Sequence, residues 1–285
     1  MNYLQKVQVI LEEMAYKKTF MELGGRLGKQ GIRLLVLGTE DVWAKQIAAQ
    51  GTEAGQLVVT DHALFAEKIS AAGGNVLAFL HEGNREQDFS KLKYAMENPE
   101  ELEAEYLERV YRRLVRLPWD ILETERCFIR ETTEDDVEDF YKIYSDSAIT
   151  QYTEGLYPEI EQEKQYVREY IDKIYGFYDF GVWTVTEKAT GQVIGRAGFS
   201  YREGFADPEI GFVIGMPWQH RGIAFEICKA ILAYGKEQLE FQLVNALVNS
   251  ENAASLRLCR RLGFEEKEEV TVDGRTYRRL QIALK

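Results

Sequence analysis

The segment that decides the fold begins with the apolar run Glu209-Ile-Gly-Phe-Val-Ile214 and continues through the turn Gln219-His-Arg-Gly-Ile-Ala224. A helical pattern of apolar residues follows, so the segment predicts a strand, a tight turn and a helix. Free backbone N–H groups of such a turn converge with the positive end of the helix, and Gly222 lets an anion approach closely. Arg221 can add a charge-assisted hydrogen bond. The segment therefore predicts a phosphate cradle, although an ordinary strand-to-helix turn has the same pattern.

Further informative segments flank this one. Upstream the chain has Thr124-Glu-Arg-Cys-Phe-Ile-Arg130, Thr133-Glu-Asp-Asp136 and Ile194-Gly-Arg-Ala-Gly198, and downstream it has Asn249-Ser-Glu-Asn-Ala-Ala-Ser255 with Leu-Gly-Phe264. In order and spacing, these segments resemble the motifs of the GNAT N-acetyltransferases, in particular the RimJ/RimL-like branch. The turn resembles the family's Q/R-x-x-G-x-G/A motif, and the downstream block resembles its N-x-x-S…L-G-F motif. The resemblance covers residues 124–285.

The resemblance implies an α+β fold with a mixed sheet and the co-substrate acetyl-CoA. The cofactor would lie between the strand that ends at Ile214 and a predicted strand at Leu243–Val248. Asn252 and Ser255 also suit the start of a helix, which is compatible with binding the cofactor. The residues that the resemblance assigns to acetyl-CoA are Phe212, Val213, Ile214, Gln219, His220, Arg221, Gly222, Ile223, Ala224, Asn252 and Ser255.

The predicted chemistry is direct attack of a primary amine on the thioester in a ternary complex. Such an amine is mostly protonated at neutral pH, so a base must remove a proton first. Glu209 matches the acidic residue of the family's E-I-G-F/Y pattern and is assigned this role, with a surface carboxylate at a strand start as the alternative. Backbone N–H groups near Phe212 or Val213 would polarise the thioester carbonyl.

The acid that protonates the leaving thiolate is a point where the sequence departs from the family. Many members carry a tyrosine seven residues after the motif asparagine, and here that position is Cys259. A thiol can protonate a thiolate of similar basicity, but a small buried cysteine also explains the residue. Without the thiol, the proton would come from solvent or would be the one that leaves the ammonium group.

The acceptor site is predicted in the loop from Gln151 to Tyr157, where family members shape their acceptor pockets. Tyr152, Glu154 and Tyr157 can hold a cationic amine through carboxylate and aromatic contacts, or they serve as loop packing. The acceptor itself, a small molecule or a protein amino terminus, is left open. An alternative function is a non-catalytic module that senses acyl-CoA while the amino-terminal half binds a ligand, and the cysteine in place of tyrosine favours it.

Residues 1–119 are predicted to form a separate domain from the acetyltransferase domain at 124–285. Leu117-Pro-Trp-Asp120 marks the boundary because proline ends a long helical pattern. Apolar segments of strand length alternate with helical patterns, which predicts a small parallel Rossmann-like sheet. These segments are Ile32–Leu37, Leu57–Thr60, Val76–Leu80 and Tyr94–Met96. Polar residues at the strand ends mark a potential ligand edge.

The segment from Val58 to Val76 weakly resembles a HAD-like hydrolase, although the D-x-D nucleophile motif of that family is missing. We therefore expect a degenerate HAD-like domain without hydrolase activity. Two local predictions complete this half. An amphipathic helix is expected from the apolar residues Leu4, Val7, Leu11 and Met14, and a turn is expected at Gly24, Gly25 and Gly28.

Composition excludes several classes of protein. The 285 residues carry a formal net charge of −12, which argues against a nucleic-acid binder. No apolar run reaches the ~18 residues of a membrane helix, and the amino terminus lacks the pattern of a secretory signal. Three scattered cysteines and three histidines offer no metal framework. Unpaired cysteines suit a reducing compartment, so a cytoplasmic protein without metal or membrane attachment is expected.

Overall fold

The computed structural model describes residues 3–272 and 274–284. The chain divides into two compact units, Met1–Trp119 and Asp120–Lys285. Within the described residues, no helix is both long and apolar enough to cross a membrane. The predicted fold class, a small parallel sheet followed by a mixed α+β sheet, is confirmed.

The first unit is built on a five-stranded parallel sheet in the order β2-β1-β3-β4-β5. Its strands are β1 (Lys6–Leu11), β2 (Arg33–Gly38), β3 (Gln56–Thr60), β4 (Val76–Phe79) and β5 (Ala95–Met96). Its helices are α1 (Lys17–Gly28), α2 (Val42–Gln50), α3 (Ala63–Ala71) and α4 (Ala104–Leu114). Two apolar clusters form the core, one on each face of the sheet, as expected for parallel strands that are covered on both sides.

The helix predicted at the start of the chain is wrong, because residues 6–11 form β1. This strand pairs with β2 on one side and with β3 on the other. Val7, Val9 and Ile10 are all fully buried, because both faces of the strand are covered. A central strand of this kind lacks the alternation of polar and apolar residues that marks a half-buried strand, and its apolar spacing fits a helix equally well.

The turn predicted at Gly24, Gly25 and Gly28 is also wrong, since all three residues lie within α1. The reason at Gly24 is close packing. A Cβ atom there would lie 3.3 Å from the Cβ of Leu34, so glycine brings α1 tightly against β2. Tertiary packing therefore outweighs the low helix propensity of glycine at this point.

The second unit has an eight-stranded sheet in the order β12-β13-β11-β10-β9-β8-β7-β6. Its strands are β6 (Asp120–Glu123), β7 (Cys127–Arg130), β8 (Val182–Glu187), β9 (Val193–Ser200), β10 (Glu209–Ile214), β11 (Leu243–Asn249), β12 (Glu265–Val272) and β13 (Arg275–Ala283). Its helices are α5 (Val137–Tyr144), α6 (Ser147–Thr150), α7 (Ile160–Tyr170), α8 (Gly176–Tyr178), α9 (Ile223–Glu237) and α10 (Ala253–Leu262). A π-helical turn at Ile171–Tyr175 joins α7 to α8.

Different helices cover the two faces of this sheet. On the first face, here called the α9 face, the Trp183 ring lies 5.6 Å from the ring of Tyr234 in α9. On the opposite face, here called the α5 face, the guanidinium of Arg196 lies 4.6 Å from the ring centre of Phe140 in α5. Neighbouring residues of a strand point to opposite faces, so the face to which each side chain of β8, β9 and β10 points follows by alternation from Trp183 and Arg196.

The centre of the sheet is open because β10 and β11 diverge. They run parallel and are aligned at one position, Glu209 opposite Asn245, where the Asn245 N–H donates to Pro208 O at 2.8 Å. From Ile210 to Ile214, the pairs that the described residues form are with β9. The predicted strand, turn and helix at 209–238 and the strand near 243–248 are confirmed, and together they bound this cleft.

The last two strands form a charged hairpin at one edge of the sheet. Most side chains of β12 are exposed. Ion pairs link β12 to β13, with Arg278 Nη1 at 2.8 Å from a Glu266 carboxylate oxygen and Arg279 Nη2 at 2.7 Å from a Glu268 oxygen. Only the inner strand, through Leu280 and its neighbours, contributes to the apolar core.

Candidate active site

A cavity of about 460 Å³ opens where β10 and β11 diverge. Its volume lies in the range of small-molecule and cofactor sites. Every residue that the sequence assigned to the cofactor lines it except Arg221, which lies exposed on the outer side of the turn. The lining residues predicted from sequence are Phe212, Val213, Ile214, Gln219, His220, Gly222, Ile223, Ala224, Asn252 and Ser255.

The turn before α9 has the backbone of an anion cradle. His220 and Gly222 both adopt left-handed conformations, with φ of 59° and 78°. Gly222 caps the helix with no side-chain hydrogen bond to its first turn, so the cap leaves the N–H groups there available to a ligand. Gln219 Nε2 donates to Ile214 O at 2.8 Å and fixes the turn to the end of β10. The fifteen-residue helix α9 adds its positive end at the same place.

A partly exposed ion pair lies behind the cradle. Arg126 Nη2 lies 2.6 Å from a carboxylate oxygen of Glu226, Arg126 Nε donates to the same oxygen at 2.7 Å, and Arg126 Nη1 donates to Arg221 O at 2.9 Å. Burial acts to raise the pKa of Glu226, but hydrogen bonds from Thr124 and Arg126 together outweigh it and lower the pKa. The residues beside Arg126 in the sequence predict no role for it, because its partners lie about a hundred residues away.

The backbone of β10 presents N–H groups to the cleft. The Gly215 N–H donates to Ile194 O of β9 at 2.8 Å. Because N–H groups alternate between the two edges of a strand, the Val213 N–H also points to β9. The N–H groups of Phe212 and Ile214 therefore point to the side from which β11 diverges. Of the two N–H donors expected near the thioester, the one on the cleft side belongs to Phe212.

Glu209 begins β10 at the point of divergence, where it is 9% exposed. Its carboxylate accepts a hydrogen bond from Arg202 Nε at 2.8 Å. Burial raises the pKa of Glu209, while Arg202 and a hydrogen bond from the Leu247 backbone oppose that shift. Glu209 points to the α5 face beside the cavity rather than into it. A carboxylate with a raised pKa beside an open cleft is suited to accept a proton.

Cys259 lies away from the cavity lining, with 0% exposure, in the apolar core under α10. Burial raises the pKa of its thiol to about 12. Such a thiol gives up a proton poorly and has no access to a ligand in the cavity. Of the two roles considered for Cys259, the geometry supports the small core cysteine and gives no support to the acid.

The three predicted acceptor residues are placed differently from one another. Tyr152 lines the cavity. Glu154 has a side chain that is 72% exposed and lies 3.9 Å from Arg202 Nη1, which links it to Glu209. Tyr157 is 50% exposed, and its ring packs 5.8 Å from Tyr166 without lining the cavity. The loop therefore brings Tyr152 to the cavity and Glu154 to the Arg202 pair, but it turns Tyr157 outward.

One wall of the cavity carries positive charge that was not predicted from the sequence. Arg257 and Arg261 of α10 line it, and the Arg261 guanidinium lies 3.9 Å from the ring centre of Phe225. Ala254, Leu258 and Arg261 recur at spacings of four and three residues, which places them on one side of the helix. Counting that spacing from Ala254, in the first turn after the Asn252 cap, would have found Arg261. Other lining residues outside the predicted set are Ala148, Ile149, Gln151, Thr153, Met216 and Trp218.

The polar strand ends of the first unit bond to one another. The buried Asp61 carboxylate accepts the N–H groups of Glu12 at 2.7 Å and Glu13 at 2.9 Å, and His81 Nε2 lies 3.4 Å from it. The His81 Nδ1 accepts the Gly83 N–H at 3.1 Å. Asp61 and His81 thus satisfy local backbone groups at this edge of the sheet. The expected HAD-like ancestry of this unit stays a prediction.

Comparison with known proteins agrees with this geometry. Residues 126–265 match the family model described as acetyltransferase (GNAT) domain. An uncharacterised N-acetyltransferase of Bacillus subtilis, YnaD, is 30% identical over 145 residues, which are 50% of this chain and 82% of that protein. The ribosomal protein uS5-alanine N-acetyltransferase of Escherichia coli is 34% identical over 104 residues, or 34% of this chain and 52% of the relative.

A solved structure shares the fold as well. A GNAT-family acetyltransferase of Bordetella pertussis superimposes with a TM-score of 0.50 at 26% sequence identity, covering 57% of this chain and 98% of that one. Sequence motifs, the diverging strands and the cradle before α9 all agree with these matches. The chain therefore belongs to the GNAT acetyltransferase family and is an acetyl-CoA-dependent N-acyltransferase.

Proposed function

We propose that the chain acetylates a primary amine by direct attack on the thioester of bound acetyl-CoA, in a ternary complex. The observation that carries this proposal is the position of Glu209. A buried carboxylate with a raised pKa stands where β10 and β11 diverge, beside a cavity that ends in an anion cradle. The proposed cofactor site and the proposed base thus both lie beside the point where β10 and β11 diverge.

The cofactor is held at both ends by groups of this chain. The N–H groups at the start of α9 and the turn around Gly222 would bind the pyrophosphate, and Arg257 and Arg261 add positive charge on the opposite wall. Asn252 caps α10 by accepting the Ser255 N–H at 3.0 Å, which leaves the Asn252 amide donor for the cofactor. The Phe212 N–H would donate to the thioester oxygen as negative charge develops there.

The chemistry then needs one proton removed and one returned. Glu209, directly or through a water molecule, takes a proton from the ammonium form of the acceptor. The free amine attacks the carbonyl carbon, a C–N bond forms and the C–S bond breaks. The nitrogen that has formed the C–N bond loses its second proton, and the leaving thiolate takes that proton or one from solvent, so Cys259 is not needed.

Calorimetry and thiol release test this function. The full chain is titrated with acetyl-CoA, and free thiol is then followed with and without pools of primary amines, including peptides with free amino termini. We expect binding in the micromolar range and thiol release that depends on an amine, with the acetylated amine as product. Binding without release from any pool would support the alternative of an acyl-CoA sensor. Absence of binding would contradict the proposed cofactor site.

The ion pair behind the cradle gives the first mutational prediction. Arg126→Gln should raise the Kd for acetyl-CoA about tenfold, because the Arg221 carbonyl loses its donor and Glu226 in the first turn of α9 loses its ion-pair partner. Arg126→Lys keeps the charge without the planar fork and should give a smaller increase. Arg275→Gln, at an exposed arginine of β13, is the control. An unchanged Kd for Arg126→Gln would show that the cradle holds its shape unaided.

The pH dependence gives the second prediction. Arg202 lowers the pKa of Glu209 against the effect of burial, so Arg202→Gln should raise this pKa further. The base form of Glu209 is then lost at a higher pH, and the acid limb of the kcat/KM profile should move up by about one pH unit. Arg202→Lys, which keeps a cation, should shift the limb less. A limb that stays in place in Arg202→Gln would remove Glu209 as the base.

A further inference from the structure

One face of the central sheet carries two charged residues in line. Arg196 of β9 stands opposite Val213 of β10, and Glu209 stands opposite Ser200. Residues directly opposite in an antiparallel pair point to the same face, so Arg196 and Glu209 both point to the α5 face. They are four positions apart along the strands, which corresponds to roughly 13 Å between backbone positions.

The space between the two charges is open at Gly211. This residue lies midway between Val213 and Glu209 on the same face of β10. A Cβ atom built at Gly211 would meet nothing within 4 Å. The backbone there is not left-handed, so the glycine is not required by conformation. This face of β10 therefore has open space at Gly211, between the positions of Glu209 and Arg196, and we call this open strip the groove.

Arg196 itself lacks an anionic partner within the described part of the chain. Its Nε is buried without a hydrogen bond, and no ion pair among the described residues includes it. Its neighbours are the Phe140 ring, at 4.6 Å, and tyrosines, of which Tyr144 forms a side-chain hydrogen bond with it and Tyr166 interacts with it electrostatically. A buried charge that lacks a counter-ion is costly, and a bound anion would remove that cost.

We infer that the amine acceptor also carries a carboxylate, which binds Arg196 and the adjacent tyrosine hydroxyls while the amine meets Glu209. This inference rests on the proposed function, because it places the acceptor on the base. The acceptor class is thus an amino acid, with its two charged groups spanning the groove over Gly211. Guanidinium groups pair with carboxylates through parallel hydrogen bonds, and phenol hydroxyls can donate to the remaining lone pairs.

The test compares amino acids with their amides on the full chain. Thiol release from acetyl-CoA is measured with glycine, β-alanine, γ-aminobutyrate and a pool of the common α-amino acids, each against the matching carboxamides. We expect kcat/KM for the responding acid to exceed that of its amide about 10- to 100-fold. The series of spacings between amine and carboxylate then measures the working length of the groove.

Two variants assign this preference to the groove. Arg196→Met removes the charge at similar length and should reduce the ratio of acid to amide to near one. Gly211→Ala fills the open space without a clash and should raise KM for the acid about tenfold, with the Kd for acetyl-CoA within twofold of the original. Arg275→Gln controls for loss of an exposed arginine. Melting temperatures verify that each variant is folded.

Failure of the carboxylate site and failure of the proposed acetyl transfer would give different results. Thiol release that is as fast with amides as with acids, or an acid preference that survives in Arg196→Met, would overturn the carboxylate site and leave the transferase intact. Thiol release that is equally fast when no amine is present would overturn both the carboxylate site and the proposed transfer to an amine. A readout without turnover is the melting temperature of the chain saturated with CoA. N-acetylated amino acids should raise it in the original chain and fail to do so in Arg196→Met.

Discussion

Gly222→Val should raise the Kd for acetyl-CoA at least 100-fold. Gly222 has φ of 78°, a conformation that a β-branched residue adopts only under strain, and it lines the cavity. The valine side chain would either press against Arg126, whose Nη2 lies 3.8 Å from the Cβ position, or force the turn into another shape. Both results remove the convergence of N–H groups at the start of α9. Calorimetric titration with acetyl-CoA measures the change directly.

Strain alone could lower affinity by unfolding the unit, so the experiment needs a matched glycine. Gly191 has φ of 70°, lies in the turn between β8 and β9, and like Gly222 has room for a Cβ atom. Gly191→Val should therefore lose a similar amount of stability in thermal unfolding while it binds acetyl-CoA normally. Equal losses of affinity in the two variants would mean that the turn before α9 does not bind the cofactor.

Glu209→Gln should lower kcat by 10² to 10⁴ while the Kd for acetyl-CoA stays the same, because a carboxamide keeps the shape of the side chain but cannot accept the proton. Single-turnover thiol release with a responding amine measures the rate. The amide loses the charge that pairs with Arg202, but Arg202 keeps Glu154 at 3.9 Å as a second partner. The unit should therefore remain folded.

An exposed glutamate between β9 and β10 provides the control for Glu209→Gln. Glu203 follows Arg202 and is exposed, so Glu203→Gln changes the net charge equally without touching the cleft. It should retain full kcat. If Glu209→Gln is as active as Glu203→Gln at every pH, the base is another group or solvent, and the mechanism proposed above is wrong.

Local chemistry explains which parts of the molecule could be predicted from sequence. Glu209 begins β10, Gly222 caps α9 and Asn252 caps α10, as the spacing indicated. Gly263 ends α10 in a left-handed conformation, with φ of 97°. Each of these features depends on a residue type at one position and on its immediate neighbours in the chain. For this reason the part of the cavity wall formed by β10, the turn before α9 and the start of α10 could be predicted from the sequence, while the walls from α6 and from the later turns of α10 could not.

The features that escaped prediction depend on partners far away in the chain. β1 looked helical because burial on both faces removes the alternation that identifies a strand. The pairing of Arg126 with Glu226 joins residues a hundred positions apart, and no spacing rule connects them. The environment of Cys259 is similar, since its burial depends on how α10 packs on the sheet and not on the residues beside it.

The charged hairpin at the end of the chain has a consequence for how molecules meet in a crowded solution. β12 is an edge strand, and the unpaired N–H and C=O groups of an unprotected edge can form hydrogen bonds with a strand of another molecule. Its row of glutamates gives approaching copies the same negative charge, while the arginines of β13 neutralise that row within one molecule. A second strand that joined this edge would have to remove these paired charges from water, and that cost disfavours edge-to-edge pairing of two copies.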